Sequence, residues 1–143
     1  MKKSSKTAAV LYCMLLASSK AAAKPGSAWP PTDREFQKVD AAVSRFKLTG
    51  VPFEKRIRVY TSQIEGIHHY IIGVLIRPIS SYPNYKKYET DKNDPTTWIP
   101  GRYVVSPSKF PTRVSVVVDN SCDRIRVNFD VDASRLLPFG CHQ

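Results

Sequence analysis

The sequence predicts an α+β domain, in which one N-terminal helix packs on a twisted antiparallel sheet of four to five strands. Over residues 33–47 apolar side chains recur at spacings of three and four, which is the period of an amphipathic helix. From residue 56 onward apolar and polar residues alternate at a period of two, which indicates half-buried strands. One helix followed by a run of strands is typical of a helix packed on one face of a sheet.

The first 23 residues have the pattern of a secretory signal peptide. A cationic start without acids, residues 1–6, precedes a short apolar run at 8–17 and small residues at 21–23. The apolar run is too short to cross a bilayer as a helix. We therefore expect a secreted protein whose working part, residues 24–143, is a single domain with no membrane-spanning segment.

The chain is basic, with 22 Lys and Arg against 12 Asp and Glu and a net charge of +10. Removal of residues 1–23 takes away four lysines and no acid, so 18 basic residues remain and the charge becomes +6. Such a charge favours polyanions such as RNA or anionic lipid. It also keeps a secreted protein soluble, and the charge alone leaves both interpretations open.

The helix has a clear start and end in the sequence. Thr32 and Glu35 fit a capping box, with Thr32 as the N-cap and Glu35 as the third helical residue. Gly50 and Pro52 can terminate it, so we expect a helix over about 33–47. Its apolar stripe is formed by Phe36, Val39, Val43 and Phe46.

The strands follow the helix. Alternation at 56–61, a turn at 65–66 and a long apolar run at 67–76 predict a hairpin, and further strands are expected at 103–105, 114–118 and 125–131. Residues 78–101 are rich in Pro, Tyr, Lys, Asn and Asp, which indicates a long loop of the kind that carries function. The last predicted strand has a polar face, formed by Arg124, Arg126, Asn128 and Asp130.

Common catalytic signatures are missing, because the chain has neither a glycine-rich phosphate loop nor a Gly-x-Ser-x-Gly motif. His68 and His69 are adjacent in a predicted strand, so they point to opposite faces and cannot share one site. Two cysteines follow the signal peptide, Cys122 and Cys141, and export permits a disulfide. With His142 they make a poor zinc site, and we expect neither a metal nor a cofactor.

Residues 81–89 hold the most informative segment. Tyrosines in it can stack on unpaired bases and lysines can hold phosphates. A surface loop whose tyrosines pack on the sheet has the same composition, so the segment alone does not decide. Its residues are Ser81, Tyr82, Pro83, Asn84, Tyr85, Lys86, Lys87, Tyr88 and Glu89.

This segment resembles the Tyr-Pro-His-x-Tyr-Asn-Asn-Tyr-Glu stretch of the fungal extracellular guanine-specific ribonucleases. Further similar motifs follow in the same order, at residues 97–100, 112–114, 120–122, 133–134 and 139–141. The resemblance covers roughly residues 32–46 and 81–141 and implies a microbial-ribonuclease-like fold. It places the catalytic residues of that family at Asn84, Thr97 and Asp130, and its catalytic arginine at Arg113.

Only the arginine of the catalytic set is kept, since Asn84 and Thr97 cannot act as bases and an aspartate is ionised at neutral pH. The resemblance thus implies a ribonuclease scaffold that is not an enzyme. The residues it implies for RNA binding are Tyr85, Lys86, Lys87, Tyr88, Glu89 and Arg113. The two lysines replace asparagines of the family, which adds phosphate affinity and lowers guanine selectivity.

A secreted ribonuclease-like chain without catalytic residues is similar to the effectors of plant-pathogenic fungi such as powdery mildews. This similarity implies a monomeric virulence effector that binds host RNA, host defence proteins or both, and acts in the host cytoplasm or nucleus. A host immune receptor is a further candidate partner. Many of those effectors pair a cysteine near the mature N-terminus with the last cysteine. Here none follows Trp29, so Cys122 is the candidate partner of Cys141.

Two alternatives stay open. Residues 62–69 are similar to the Gln-x-Val-x-Gly hairpin of plant cystatins, which would make the protein a secreted cysteine-protease inhibitor with residues 97–98 as the second hairpin. An active ribonuclease with a rearranged base, Glu89 or His69, is the other.

Overall fold

The computed structural model describes residues 29–87, 91–112 and 122–141, and it confirms the α+β class with one helix and one open sheet. The helix α1 spans Asp33–Ser44. The strands are β1 Ile57–Glu65, β2 His68–Ile76, β3 Gly101–Val104, β4 Arg124–Asp130, β5 Arg135–Leu136 and β6 Gly140–Cys141. The predicted signal peptide and the predicted strand at 114–118 lie outside the described residues.

The capping box of α1 is confirmed. The Thr32 hydroxyl accepts a hydrogen bond from the Glu35 amide, and the Glu35 carboxylate accepts one from the Thr32 amide at 2.6 Å. The helix ends at Ser44, three residues before the predicted end at 47. Phe46 therefore leaves the predicted apolar stripe; it is 52% exposed and meets Phe139 edge-on, with ring centroids 4.8 Å apart.

The predicted hairpin forms the centre of the sheet. Strands β1 and β2 pair in antiparallel register from Ile57 opposite Ile76 to Glu65 opposite His68. The two-residue turn between them begins with Gly66 at a φ of +63°, a conformation that glycine adopts without strain. The strand order across the sheet is β3, β1, β2, β4, and the outer edge beyond β4 is shared by the short strands β5 and β6.

The prediction of a purely antiparallel sheet is wrong, because β3 pairs with β1 in parallel. Strand β2 ends at Ile76, beside the start of β1 at Ile57. Strand β3 starts at the same end, with Gly101 opposite Ile57, so β3 runs in the direction of β1. The sheet is therefore mixed. No described helix is long and apolar enough to cross a membrane.

Both faces of the sheet are covered near the start of β1. Helix α1 buries one face in a cluster that includes Phe36, Val39, Tyr60 and Phe129. The opposite face is covered at that end by the segment after β2, in a second cluster of Ile57, Val59, Val74 and Ile76 with Trp98, Tyr103, Val105 and Phe110. The alternation at 56–61 predicted a half-buried strand, but Arg56 and Tyr60, two members of that alternation, are fully buried.

Tyr60 joins the helix to the sheet. It lies opposite Gly73, where a Cβ would come within 2.5 Å of its ring, so only glycine leaves room for the tyrosine. The Tyr60 hydroxyl donates to the Asp40 carboxylate of α1 at 2.7 Å. Burial, and then the neighbouring Asp40 carboxylate, raise the pKa of Tyr60 far above its usual value. Asp40 also faces two arginines, Arg58 and Arg102, each at 3.5 Å.

Arg56 holds two segments of the chain together from inside the protein, residues 49–51 before β1 and Cys122 before β4. It is completely buried, and its guanidinium donates to three main-chain carbonyls, of Thr49 at 2.7 Å, Val51 at 2.8 Å and Cys122 at 2.8 Å. Burial lowers the pKa of Arg56, although the nearby Asp123 opposes that shift. The side chain thus fixes the approach to β1 and the approach to β4 at one point.

Candidate functional site

The residues for which the resemblance implies RNA binding are only partly described. Tyr85 and Lys86 belong to a 3₁₀ turn, Tyr85–Lys87, and both are exposed, Tyr85 at 39%. This segment is a turn that follows β2 rather than a strand of the sheet. Tyr88, Glu89 and Arg113 lie outside the described residues, as does the side chain of Lys87, so their prediction stays a prediction.

The three positions matched to catalytic residues do not all come together, because Asp130 lies apart from the connection that holds Asn84 and Thr97. Thr97 closes a 3₁₀ turn three residues before β3, at the end of the sheet where β1 begins, and its hydroxyl donates to the Asp94 carbonyl at 2.8 Å. Asn84 lies in the same connection between β2 and β3. Asp130 ends β4 in the row of Gln63, which lies six residues, or about 20 Å, from the start of β1 at Ile57. The Asp130 carboxylate there accepts the Ala133 amide at 2.9 Å.

The two segments named for a cystatin-like wedge also lie apart. Gly66 and Ile67 form the tip of the β1–β2 hairpin, and Ile67 is 77% exposed. Trp98 packs against the cluster at the opposite end of the same hairpin. A wedge built by both segments side by side is therefore not formed by the described residues.

The two histidines point to opposite faces, as predicted. His69 faces the helix side, where its ring lies 4.9 Å from that of Trp29 and its Nδ1 is 3.2 Å from the Asp132 carboxylate. The main-chain N–H of His69 also donates to Asp132 at 2.8 Å, and this bond is the main reason that the pKa of Asp132 is lowered. His68 lies on the other face beside Tyr70.

Cys122 is part of a disulfide. Strand β6 places Cys141 opposite Ile125, three residues after Cys122, so the main chains of the two cysteines lie close together. Their pairing stays a prediction, since the Cys141 side chain lies outside the description. Across the described ranges, no three His, Cys, Asp or Glu side chains are grouped as a metal site would require.

One surface was not singled out as a site by the sequence. Beyond the cluster of Ile57 and Val59, no hydrophobic cluster of described residues covers the face opposite the helix. The strand register brings Thr61, Ile72 and Asn128 into one row across it, and Gln63, Tyr70 and Asp130 into the next. We call this surface the open sheet face and define it by Thr61, Gln63, Tyr70, Ile72, Arg126 and Asn128.

Two adjoining cavities lie on the open sheet face. The larger has a volume of about 310 Å³, and the smaller one of about 130 Å³. Ile72 lines both. The larger is lined by Thr61, Ser62, Gln63, Ile64, Ile72, Pro107, Phe110 and Arg126. Its volume is at the lower limit of pockets that hold small organic ligands.

Three polar side chains of this face have groups without a described partner. The hydroxyl of Thr61, a residue only 4% exposed, is buried without a hydrogen bond to any described residue. The amide oxygen of Asn128 is likewise buried without a described partner. Arg126 is exposed at the cavity, and no described group pairs with its guanidinium. On the helix side, the Arg102 guanidinium is paired with the Asp33 carboxylate. A buried polar group without a partner costs stability, and either water or a polar group of a ligand can supply the missing hydrogen bond.

The fold and this face define a class only: an α+β domain with an open mixed sheet that carries a polar cleft. A scan of protein-family models found no match, and searches of curated proteins and of solved structures found none either.

Proposed function

We propose that this protein is a secreted effector that binds host RNA and does not cleave it. The observation that carries the proposal is the open sheet face, where Arg126 has no described anionic partner and the hydroxyl of Thr61 and the amide oxygen of Asn128 lack hydrogen bonds. An unpaired arginine beside hydroxyl and amide groups suits a phosphate and its attached sugar or base.

The charge of the molecule supports the same partner. The net charge of +10, or +6 without residues 1–23, attracts a polyanion over several ångströms and speeds its association. The exposed Tyr85 and Lys86 supply a second cationic and aromatic segment, at the end of the sheet where β2 finishes.

The positions matched to the catalytic residues of the ribonucleases are spread over the sheet, which supports a protein that does not cleave RNA. Cleavage of RNA through the ribose 2′-hydroxyl needs a base and an acid on either side of one phosphate. Thr97 lies before β3, at the end of the sheet where β1 begins, whereas Asp130 lies six strand residues, about 20 Å, from the start of β1. The Asp130 carboxylate is also engaged by the Ala133 amide. Together with the signal-peptide pattern and the effector resemblance, this favours binding as the activity delivered to the host.

The test of binding uses fluorescence anisotropy with a labelled single-stranded RNA of mixed sequence. Wild-type protein should bind with an affinity that falls steeply as salt rises, and Arg126→Ala should lower the slope by about 0.7, as expected for one lost phosphate contact on a single strand. Arg34→Ala is the matched control, because Arg34 is an exposed arginine on α1, on the far side of the sheet. Equal effects of the two substitutions would reject the open sheet face as the binding surface.

The test of inertness incubates the same RNA with wild-type protein and with Arg113→Ala. Intact RNA is expected with both. Cleavage by the wild type that Arg113→Ala abolishes would refute the non-catalytic proposal and leave a ribonuclease.

A further inference from the structure

Among the described residues, the second half of strand β1 has one unpaired edge, which lies beside the larger cavity. Strand β3 pairs only with its first four residues, Ile57 to Tyr60, and the last bond to the following segment is from the Val105 amide to the Tyr60 carbonyl at 2.9 Å. Main-chain groups of alternate residues in a strand face the same edge. Those of Ser62 and Ile64 therefore face the edge that β3 has left, where no described residue pairs with them.

This edge forms one wall of a narrow cleft. After Val105 the chain turns away, and Pro107 and Phe110 form the opposite wall. Ile72 supplies an apolar floor, while Arg126 reaches the cleft from β4. Two strand spacings, about 10 Å, separate β1 from β4, so a single ligand must extend over that distance to meet both.

The cleft combines three chemically different contacts. The N–H and C=O groups of Ser62 and Ile64 offer alternating donors and acceptors in the plane of the sheet. Phe110 offers an aromatic ring, and Arg126 offers a cation without a described partner. Thr61, whose buried hydroxyl has no hydrogen bond to a described group, lines the same cavity. A nucleotide has the complementary set, with a planar base, hydrogen-bonding base edges and a phosphate.

We propose that this cleft binds one unpaired RNA nucleotide, with the edge of the base on the main chain of Ser62 and Ile64, the base against Phe110, and the adjoining phosphate on Arg126. The inference rests on the RNA-binding function and gives it a specific site, separate from Tyr85 and Lys86. Bases in a duplex have their edges paired and their faces stacked, so the cleft selects single-stranded RNA.

The experiment follows the amide resonances of Ser62 and Ile64 by NMR while nucleoside 5′-monophosphates are added to the wild-type protein. The four ribonucleotides should shift both amides and the Arg126 side-chain resonance. Ribose 5-phosphate and inorganic phosphate, which lack a base, should shift Arg126 alone. If the nucleotides leave the Ser62 and Ile64 amides unchanged, or if ribose 5-phosphate shifts them equally, the cleft does not bind a base.

A second measurement separates this inference from the proposed function. Anisotropy should show single-stranded RNA bound at least about tenfold more tightly than a duplex of the same sequence, with Phe110→Ala reducing that preference and Phe110→Tyr keeping it. Equal binding of both RNA forms would overturn the cleft while leaving RNA binding intact. Amide shifts with mononucleotides but no affinity for any RNA would support the cleft and overturn the proposed function.

Discussion

Replacement of Arg56 by leucine should destabilise the protein by about 3 kcal/mol. The substitution keeps an apolar stem of similar length and removes three hydrogen bonds, to the carbonyls of Thr49, Val51 and Cys122. An acceptor that loses its partner costs about 1–3 kcal/mol. We take about 1 kcal/mol for each bond, for two reasons. Thr49 is exposed and the other two residues are partly exposed, so water can reach their carbonyls. The buried guanidinium also carries a desolvation cost, which its removal relieves.

The assay is urea unfolding, followed by tryptophan fluorescence, with thermal unfolding alongside. A loss of about 3 kcal/mol corresponds to a fall in Tm of about 12 °C, at roughly 4 °C per kcal/mol for a domain of this size. Arg34→Leu is the matched control, since Arg34 is exposed, and it should change stability by less than about 0.5 kcal/mol. A loss below about 1 kcal/mol for Arg56→Leu would show that the three bonds do not hold the segments together.

Four further outcomes are expected. Gly73→Ala should cost about 1–3 kcal/mol in urea unfolding, because its Cβ would clash with the Tyr60 ring; an unchanged midpoint would contradict that packing. The pKa of Asp132 is lower in the folded protein than its unfolded pKa of 3.8. The ionised carboxylate therefore stabilises the fold at pH values above 3.8, and this stabilisation is lost as the pH falls through the folded pKa. Asp132→Asn should therefore lower the free energy of unfolding by less than about 1 kcal/mol near neutral pH and leave it unchanged in strong acid. A difference between wild type and variant that grows as the pH falls would contradict the lowered pKa. The pair Lys86→Ala with Lys87→Ala should reduce the salt slope of RNA binding by about 1.4, and an unchanged slope would remove that segment from the interface. Papain should stay active at micromolar protein, and its inhibition would revive the cystatin alternative.

Local features of this chain could be predicted because they depend on residues close in sequence. The capping box of Thr32 and Glu35 and the Gly66 turn are each complete within a few residues, and both are present. The end of α1 was placed too late because Phe46 continues the helical spacing, although its partner, Phe139, lies at the far end of the chain. A periodicity cannot tell a side chain that packs on its own helix face from one that packs on a distant segment.

The candidate site could be predicted only in part for the same reason. Alternation showed that Arg126 and Asn128 share the polar face of one strand, and β4 has that face. The β1 residues that lie in the same rows as Arg126 and Asn128 depend on the strand register. Whether this face is covered depends on the path of residues 98–110 across the sheet. The parallel direction of β3 has no signature in its own four residues. The point where β3 ends, after Val104, leaves Ser62 and Ile64 without a described partner on that edge.

The two long connections of this sheet have a consequence for how the chain can vary. The β1–β2 hairpin closes over two residues, whereas β3 and β4 join it only after residues 77–100 and 105–123. Closing a flexible loop costs only about 0.6 kcal/mol more when its length doubles. Insertions in these connections should leave the hairpin scaffold intact, and folding should begin at the hairpin and end with the docking of β4. The segments with Tyr85, Lys86 and Phe110 can therefore diversify at little energetic cost, which suits a surface that must follow a changing partner.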